Sequence, residues 1–231
     1  MSSRSDSNQI TRDYFDSILL ETRYWDSDLP STKMELYGET FETPIMTAAL
    51  SHLHDICDNA MAEFGKGAKD AGAVHWVGMG EDDELEQILA TGARTVKIIK
   101  PHREDEVIYH KIRHAAEHGA FAVGMDIDHC FAGNGEYDVV CGLPMHAKTA
   151  SDLENYVKAS SVPFIVKGVL SAKDAEKCVK AGVSGILVSH HHGIMQYAVP
   201  PLMILPEIVK AVDGQIPVFV DCGIESGMDV F

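Results

Sequence analysis

The sequence is short of positive charge: 19 Lys and Arg stand against 35 Asp and Glu, for a net charge of −16. Such a field repels phosphate backbones and anionic lipid surfaces over a Debye length, which excludes nucleic acid as a natural partner. No apolar run approaches the ~18 residues that a membrane-crossing helix needs. The opening Met1-Ser-Ser-Arg-Ser-Asp-Ser7 has no apolar signal-peptide core, so the expectation is a cytoplasmic protein with no membrane partner. Cysteines are few and scattered (Cys57, Cys130, Cys141, Cys178, Cys222) and never spaced Cys-x-x-Cys, which argues against a disulfide framework or a zinc knuckle. A Gly-x-x-x-x-Gly-Lys loop and a strand-linked Gly-x-Gly-x-x-Gly are both missing, so neither a P-loop nor a dinucleotide fold is indicated.

What is present is an alternation. In 231 residues, 45% hydrophobic, short Val/Ile-rich runs alternate with segments of helical period, the pattern of βα units around a parallel sheet. Seven strands are predicted, at 44–50, 74–78, 95–100, 122–127, 163–167, 185–189 and 217–221. Helices are expected at 55–70, 81–90, 104–117, 150–159, 172–180 and 202–212. Gly72, Gly92, Gly119 and Gly182 each follow a helix and precede a strand, where glycine supplies the left-handed residue that ends a helix. Residues 1–10 are polar and expected to fray, and Pro30 closes off any helix between Tyr14 and Trp25. The organisation is therefore an N-terminal segment, 1–43, and one βα domain, 44–231. A doubly wound sheet and a (β/α)8 barrel both accommodate it.

Polar residues gather where strands end. Ser51, His52 and His54 follow the first strand, Lys97 and Lys100 lie on the third, and Asp126, Asp128 and His129 end the fourth. Lys167 ends the fifth, Ser189 to His192 the sixth, and Asp221 the seventh. A barrel brings such ends to one mouth, where barrel enzymes place their chemistry. Lys167 closes an apolar strand, and a buried ammonium needs an anion beside it. Of His190, His191 and His192, only alternate residues share a face on an extended strand. A carboxylate at Asp126 suits the orientation of an imidazole and the stabilisation of its protonated form.

Residues 163–193, from Pro163-Phe-Ile-Val-Lys-Gly-Val-Leu to Val188-Ser-His-His-His-Gly193, resemble the lysine strand and histidine loop of the FMN-dependent α-hydroxy-acid dehydrogenases and oxidases. The resemblance continues through Leu205-Pro-Glu-Ile-Val209 and Pro217-Val-Phe-Val-Asp-Cys-Gly-Ile-Glu-Ser-Gly227, and is looser at 44–51 and 122–127. It implies a (β/α)8 TIM barrel with about seven βα units present and the eighth strand missing from this chain, FMN as cofactor, a small-molecule substrate, and assembly as a homo-oligomer. It implies Lys167 beside the reduced flavin, His191 as the base that takes the substrate hydroxyl proton, and Asp126 in support of that histidine. Ala48, Ala49, Lys97 and Ser189 are implied as flavin contacts, with Asp221 and Gly223 at the phosphate end.

The departures are specific. The family loop reads Ser-Asn-His-Gly-Gly-Arg, so His190 replaces Asn, His192 replaces Gly, and Ile194 stands where an arginine grips the substrate carboxylate. A second substrate arginine has no counterpart in Asp128-His-Cys-Phe-Ala-Gly-Asn-Gly-Glu136, and Lys97 is a candidate for the missing charge. Two other readings fit parts of the pattern. One is a metal-dependent hydrolase ligated by His52, His54, His190 to His192 and Asp221; the other is an FMN-binding relative without turnover.

Overall fold

A computed structural model describes residues 5–231. Its centre is a curled, wholly parallel sheet of six strands in the order β10-β9-β8-β5-β4-β3. These are β3 (His75–Val77), β4 (Thr95–Ile99), β5 (Ala122–Asp126), β8 (Phe164–Val169), β9 (Gly185–Val188) and β10 (Val218–Val220). Helices α2 (Ala60–Asp70), α3 (Asp82–Ala90), α4 (Asp105–Glu117), α5 (Ala150–Ala159), α6 (Ala172–Lys180) and α7 (Pro201–Val212) alternate with them and cover one face. This is the (β/α)8 architecture, represented in this chain by part of a barrel. Two short hairpins, β1–β2 (Met34–Leu36, Glu39–Phe41) and β6–β7 (Val139–Val140, Leu143–Pro144), stand outside the main sheet.

Local chemistry fixes the helix limits. Thr149 and Asp152 form a reciprocal capping box that starts α5, and the Ser171 hydroxyl caps α6 by accepting from the Asp174 amide. The four helix-ending glycines all lie at positive φ, between +66° and +86°.

The two sides of the sheet form separate apolar clusters. Val77, Ile99, Val123, Met125, Phe164 and Val166 pack against helix residues such as Ile88, Ile108, Ile112 and Tyr156. The alternate residues Trp76, Val96, Ile98, Ala122, Ile165 and Leu187 point the other way, where Leu36 and Phe41 of the β1–β2 hairpin join them. Each of the large side chains so enclosed contributes about 1.5–3 kcal/mol relative to exposure. The hairpin therefore closes the N-terminal end of the barrel interior, and the C-terminal strand ends are left to form the mouth.

Two sequence expectations fail. Residues 44–50 form no strand; Leu50 makes only an isolated parallel bridge with Val77. The reason is Thr47, whose hydroxyl accepts from the Trp76 amide at 2.8 Å and meets His75 Nδ1 at 2.9 Å, so a side chain takes ladder positions that backbone would fill. The second failure is at the N-terminus, where Ser7–Ser17 forms a helix, α1, instead of fraying, and no helix spans 14–25. Its anchors are long-range: Ser7 Oγ donates to the Met195 carbonyl at 2.5 Å, Asn8 Nδ2 donates to the His192 carbonyl at 3.0 Å, and Arg12 pairs with Asp229 at 3.0 Å.

His190 is the buried centre of that contact. The Gly193 amide donates to its Nδ1 at 3.0 Å, so Nε2 carries the proton and donates to Thr11 Oγ1 at 2.8 Å. Thr11→Val strands this N–H in the interior, and the expected cost is about 1–3 kcal/mol in urea unfolding, with faster hydrogen exchange across α1. Unchanged stability and exchange would remove His190 from the account of how α1 is held.

Candidate active site

Strand alternation decides which side chains reach the mouth. Continuing the inward rows of Val96/Ile98, Ala122, Ile165, Leu187 and Phe219 by two residues or four brings Lys100, Asp126, Lys167, Ser189 and Asp221 to one layer. Lys97 belongs to the opposite row. It is 4% exposed, its Nζ donates to the Gly78 carbonyl at 2.6 Å, and its charged neighbours are Lys111, Glu84 and Asp82 of the helix layer. Burial, with Lys111 assisting, lowers its pKa to about 8. The expectation of Lys97 as a flavin contact is therefore corrected: a period-2 strand sends neighbours to opposite faces, and the inward lysine of β4 is Lys100, just past the strand end.

The centre of the layer is an ion cluster. Asp126, 2% exposed, lies between two ammonium groups, Lys100 Nζ at 2.7 Å and Lys167 Nζ at 3.0 Å. Burial alone would raise the Asp126 carboxyl, but Lys167, Lys100 and His191 together hold it down at about 2. Burial likewise opposes the charge on Lys167, and the surrounding Asp126, Asp128 and Asp221 outweigh it, leaving its pKa raised. Asp126 and Lys167 therefore both keep their charge at neutral pH.

His191 joins from the loop after β9. Its backbone sits at φ +52°, a conformation costly for a non-glycine residue, and its amide donates to Ser189 Oγ at 3.0 Å. That pose puts Nδ1 3.1 Å from Asp128 Oδ1, 3.2 Å from Lys167 Nζ and 3.7 Å from Asp126 Oδ1. Nδ1 thus stands between a carboxylate that can only accept and an ammonium that can only donate, and serves one at a time; in the tautomer that donates to Asp128, Nε2 keeps a lone pair. His129 packs edge-on against the same ring with 4.8 Å between centroids, and is held by Asp138 at 2.8 Å. Gly168, at φ +90°, leaves room for Asp128: a Cβ there would come within 2.4 Å of the Asp128 carboxyl carbon.

The structure thus assembles Lys167, Asp126, His191 and Ser189, and adds Lys100 and Asp128. Asp221 is tied in through Cys222, whose thiol donates to Asp221 Oδ1 at 3.0 Å and lies 3.7 Å from Ser189 Oγ; burial lifts that thiol to about 11. Gly223 is not open: its carbonyl accepts from Arg12 at 3.3 Å and a Cβ would meet Thr11 at 2.9 Å. Ala48 and Ala49 lie on the irregular segment beside β3, Ala48 exposed and Ala49 packed against the interior cluster.

The metal reading does not assemble. Among the described residues, two sets of three or more ligating atoms lie within 4.8 Å of one another: Asp126/Asp128/His191 and Glu86/His114/His118. Neither includes His52, His54, His190, His192 or Asp221. His54 is exposed beside Asp55, His190 is committed to α1, and the Lys167 ammonium already stands within the first set.

Over residues 2–152 and 145–231 the chain matches the profile of the FMN-dependent dehydrogenases. The chain belongs to that family. Similar proteins include an L-lactate oxidase of Roseobacter sp. (strain GAI101), 43% identical over 42% of this chain and 27% of that protein. An L-lactate oxidase of Lactobacillus jensenii is 27% identical over 88% of this chain and 58% of its own length. Among solved structures, a mandelate oxidase variant carrying a monooxide FMN adduct superposes with a TM-score of 0.88 at 27% identity, covering 99% of this chain and 73% of that one. This chain therefore spans from about a quarter to less than three fifths of the length of these two oxidase relatives. Among the described residues no helix is long and apolar enough to cross a membrane.

Proposed function

We propose that this chain supplies the FMN-binding core, 44–231, of an oxidoreductase acting on the CH–OH group of an α-hydroxy acid or related small molecule, with residues 1–43 contributing the covering helix α1 and the β1–β2 plug. The observation that carries the reading is the Lys167–Asp126–His191 cluster at the C-terminal ends of adjoining strands, with contacts between 3.0 and 3.7 Å, in a chain of this family.

The donors fit a flavin. Its pyrimidine edge offers acceptor atoms that gain negative charge on reduction, and the inward layer offers two buried ammoniums and the Ser189 hydroxyl. Each ammonium has three hydrogens; Lys100 donates to Asp126, and Lys167 pairs with Asp126 beside His191, so donor capacity remains toward the mouth. Bound FMN would supply the electron acceptor, taking the substrate α-hydrogen as hydride.

The protein's own part follows from its proton positions. With Nδ1 donating to Asp128, His191 Nε2 holds the lone pair that takes the substrate hydroxyl proton. The imidazolium so formed is stabilised by Asp128 at 3.1 Å and, from 3.7 Å, by Asp126, which together offset the Lys167 ammonium 3.2 Å from the ring. Asp128 is thus the nearer positioning residue for His191, while Asp126 chiefly fixes the two lysines. With Ile194 where an arginine would stand, the cations that the inward layer offers a substrate carboxylate are Lys100 and Lys167.

Anaerobic mixing of the FMN-loaded protein with a panel of 2-hydroxy acids tests this. Bleaching of the flavin band by at least one of them is expected. FMN binding without bleaching by any would replace the enzyme with a binding relative that does not turn over. Self-association into a homo-oligomer and a cytoplasmic location form part of the same reading, and light scattering tests the former.

A further inference from the structure

Away from the mouth, helices α3 and α4 meet along a seam that the proposed reaction does not use. α4 and its C-terminal cap residue present His110, His114 and His118 at successive i, i+4 spacings, and α3 presents Asp82 and Glu86 opposite them. Side chains four apart lie one above another on a helix, so five titratable groups line one stripe. Glu86 Oε1 is 3.0 Å from His114 Nε2 and 3.5 Å from His118 Nε2.

The protons on these rings are constrained. His118 Nδ1 lies 2.8 Å from the His114 carbonyl, which can only accept, so Nδ1 carries the hydrogen. In the neutral ring Nε2 then presents a lone pair to a carboxylate oxygen, an arrangement that is repulsive unless a cation lies between them. His114 Nδ1 is buried without a hydrogen-bond partner, and its nearest carboxylate oxygen, Asp82 Oδ1, is 3.9 Å away. Without an ion the hydrogen sits on Nε2 and donates to Glu86 at 3.0 Å; an ion bound at Nε2 would move it to Nδ1, the buried nitrogen that faces Asp82 across 3.9 Å. His118 already has the form of a metal-ligating histidine, its remote N–H on a carbonyl, and Asp82 is the carboxylate closest to the remote nitrogen of His114.

The spacing agrees. Ligand atoms about 2.0–2.1 Å from a tetrahedral zinc ion stand about 3.3 Å apart, and the two observed N···O separations bracket that value. All three ligating atoms lie within 4.8 Å of one another. Two histidines at i, i+4 on one helix are a recurrent zinc-chelating pair. Glu86 and His118 are accessible, and His114 is only 12% exposed, so an ion can enter while one ligand is already held in place.

We propose that Glu86, His114 and His118 form a divalent transition-metal site, of zinc type, that clamps α3 to α4, with water in the open position and Asp82 as outer partner to His114. The test is calorimetric titration of untagged protein with zinc chloride at neutral pH, with cobalt(II) as a spectroscopic substitute. One equivalent should bind, cobalt should give the intense visible bands of tetrahedral coordination, and zinc should raise the Tm. His118→Ala and the conservative Glu86→Gln should each weaken binding at least tenfold and abolish the Tm rise, while His191→Ala, which alters the other metal-capable cluster, leaves zinc binding unchanged. Absence of binding to the wild type, or equal binding by Glu86→Gln and His118→Ala, would overturn the site.

Discussion

Asp126→Asn lowers the free energy of unfolding by about 3–5 kcal/mol, because it removes the anion from between two buried ammonium groups. The contacts at stake are 2.7 Å to Lys100 and 3.0 Å to Lys167, with all three side chains less than a tenth exposed. An amide accepts from one lysine but neutralises neither. Urea unfolding at pH 7 measures the loss, and Lys100→Met added to Asp126→Asn should recover part of it by removing one unpaired charge. The same cluster sets an acid limit. The folded-state pKa of Asp126 is depressed from 3.8 to about 2, so its contribution is complete above the ordinary aspartate range and disappears as pH falls through about 2. A loss below 1 kcal/mol in Asp126→Asn would mean that the cluster is solvated and that the lysines are not held by this carboxylate.

His191→Gln has the largest expected effect on chemistry: the rate of substrate-driven flavin reduction falls by roughly 10²–10⁴, the usual contribution of a positioned base. Stability and FMN affinity should change little, since the ring is partly exposed at the mouth and belongs to no apolar cluster. Rapid-mixing absorbance with saturating substrate separates the two quantities. Asp128→Asn should lower the same rate less, because it leaves the base in place and weakens only its orientation and the stabilisation of its protonated form. Wild-type reduction rates in His191→Gln would remove the proton-transfer role and leave the ring as packing for His129.

Much of this was legible from residue order alone. Where side chains cap locally, as Thr149 does for α5 and Ser171 for α6, the observed helices match the expected ones residue for residue. Lys167 and Asp126 were legible because each ends an apolar run, whereas His191 was distinguished from its two neighbouring histidines only by the family resemblance. Three things were hidden for physical reasons. Thr47 breaks the first strand through its hydroxyl, which hydropathy reads as neutral. The ordering of α1 depends on partners more than 170 residues away, such as His190 for Thr11, so a polar segment looked free. The choice between Lys97 and Lys100 turned on the strand's phase, which the buried partners of Val96 and Ile98 decide. Asp128 had a signal that went unused: it stands two residues beyond Asp126, on the same side of an extended chain.

The central claim is that Lys167 and its neighbours form one edge of a flavin site. The visible absorption spectrum of the purified protein, titrated with FMN and repeated with Lys167→Met, tests it most directly. The account predicts one equivalent bound with a perturbed flavin band, and an affinity about tenfold to a hundredfold lower in the variant, the worth of one charge-assisted hydrogen bond. Equal affinity in both proteins would place the flavin elsewhere, and no binding to the wild type would contradict the account outright.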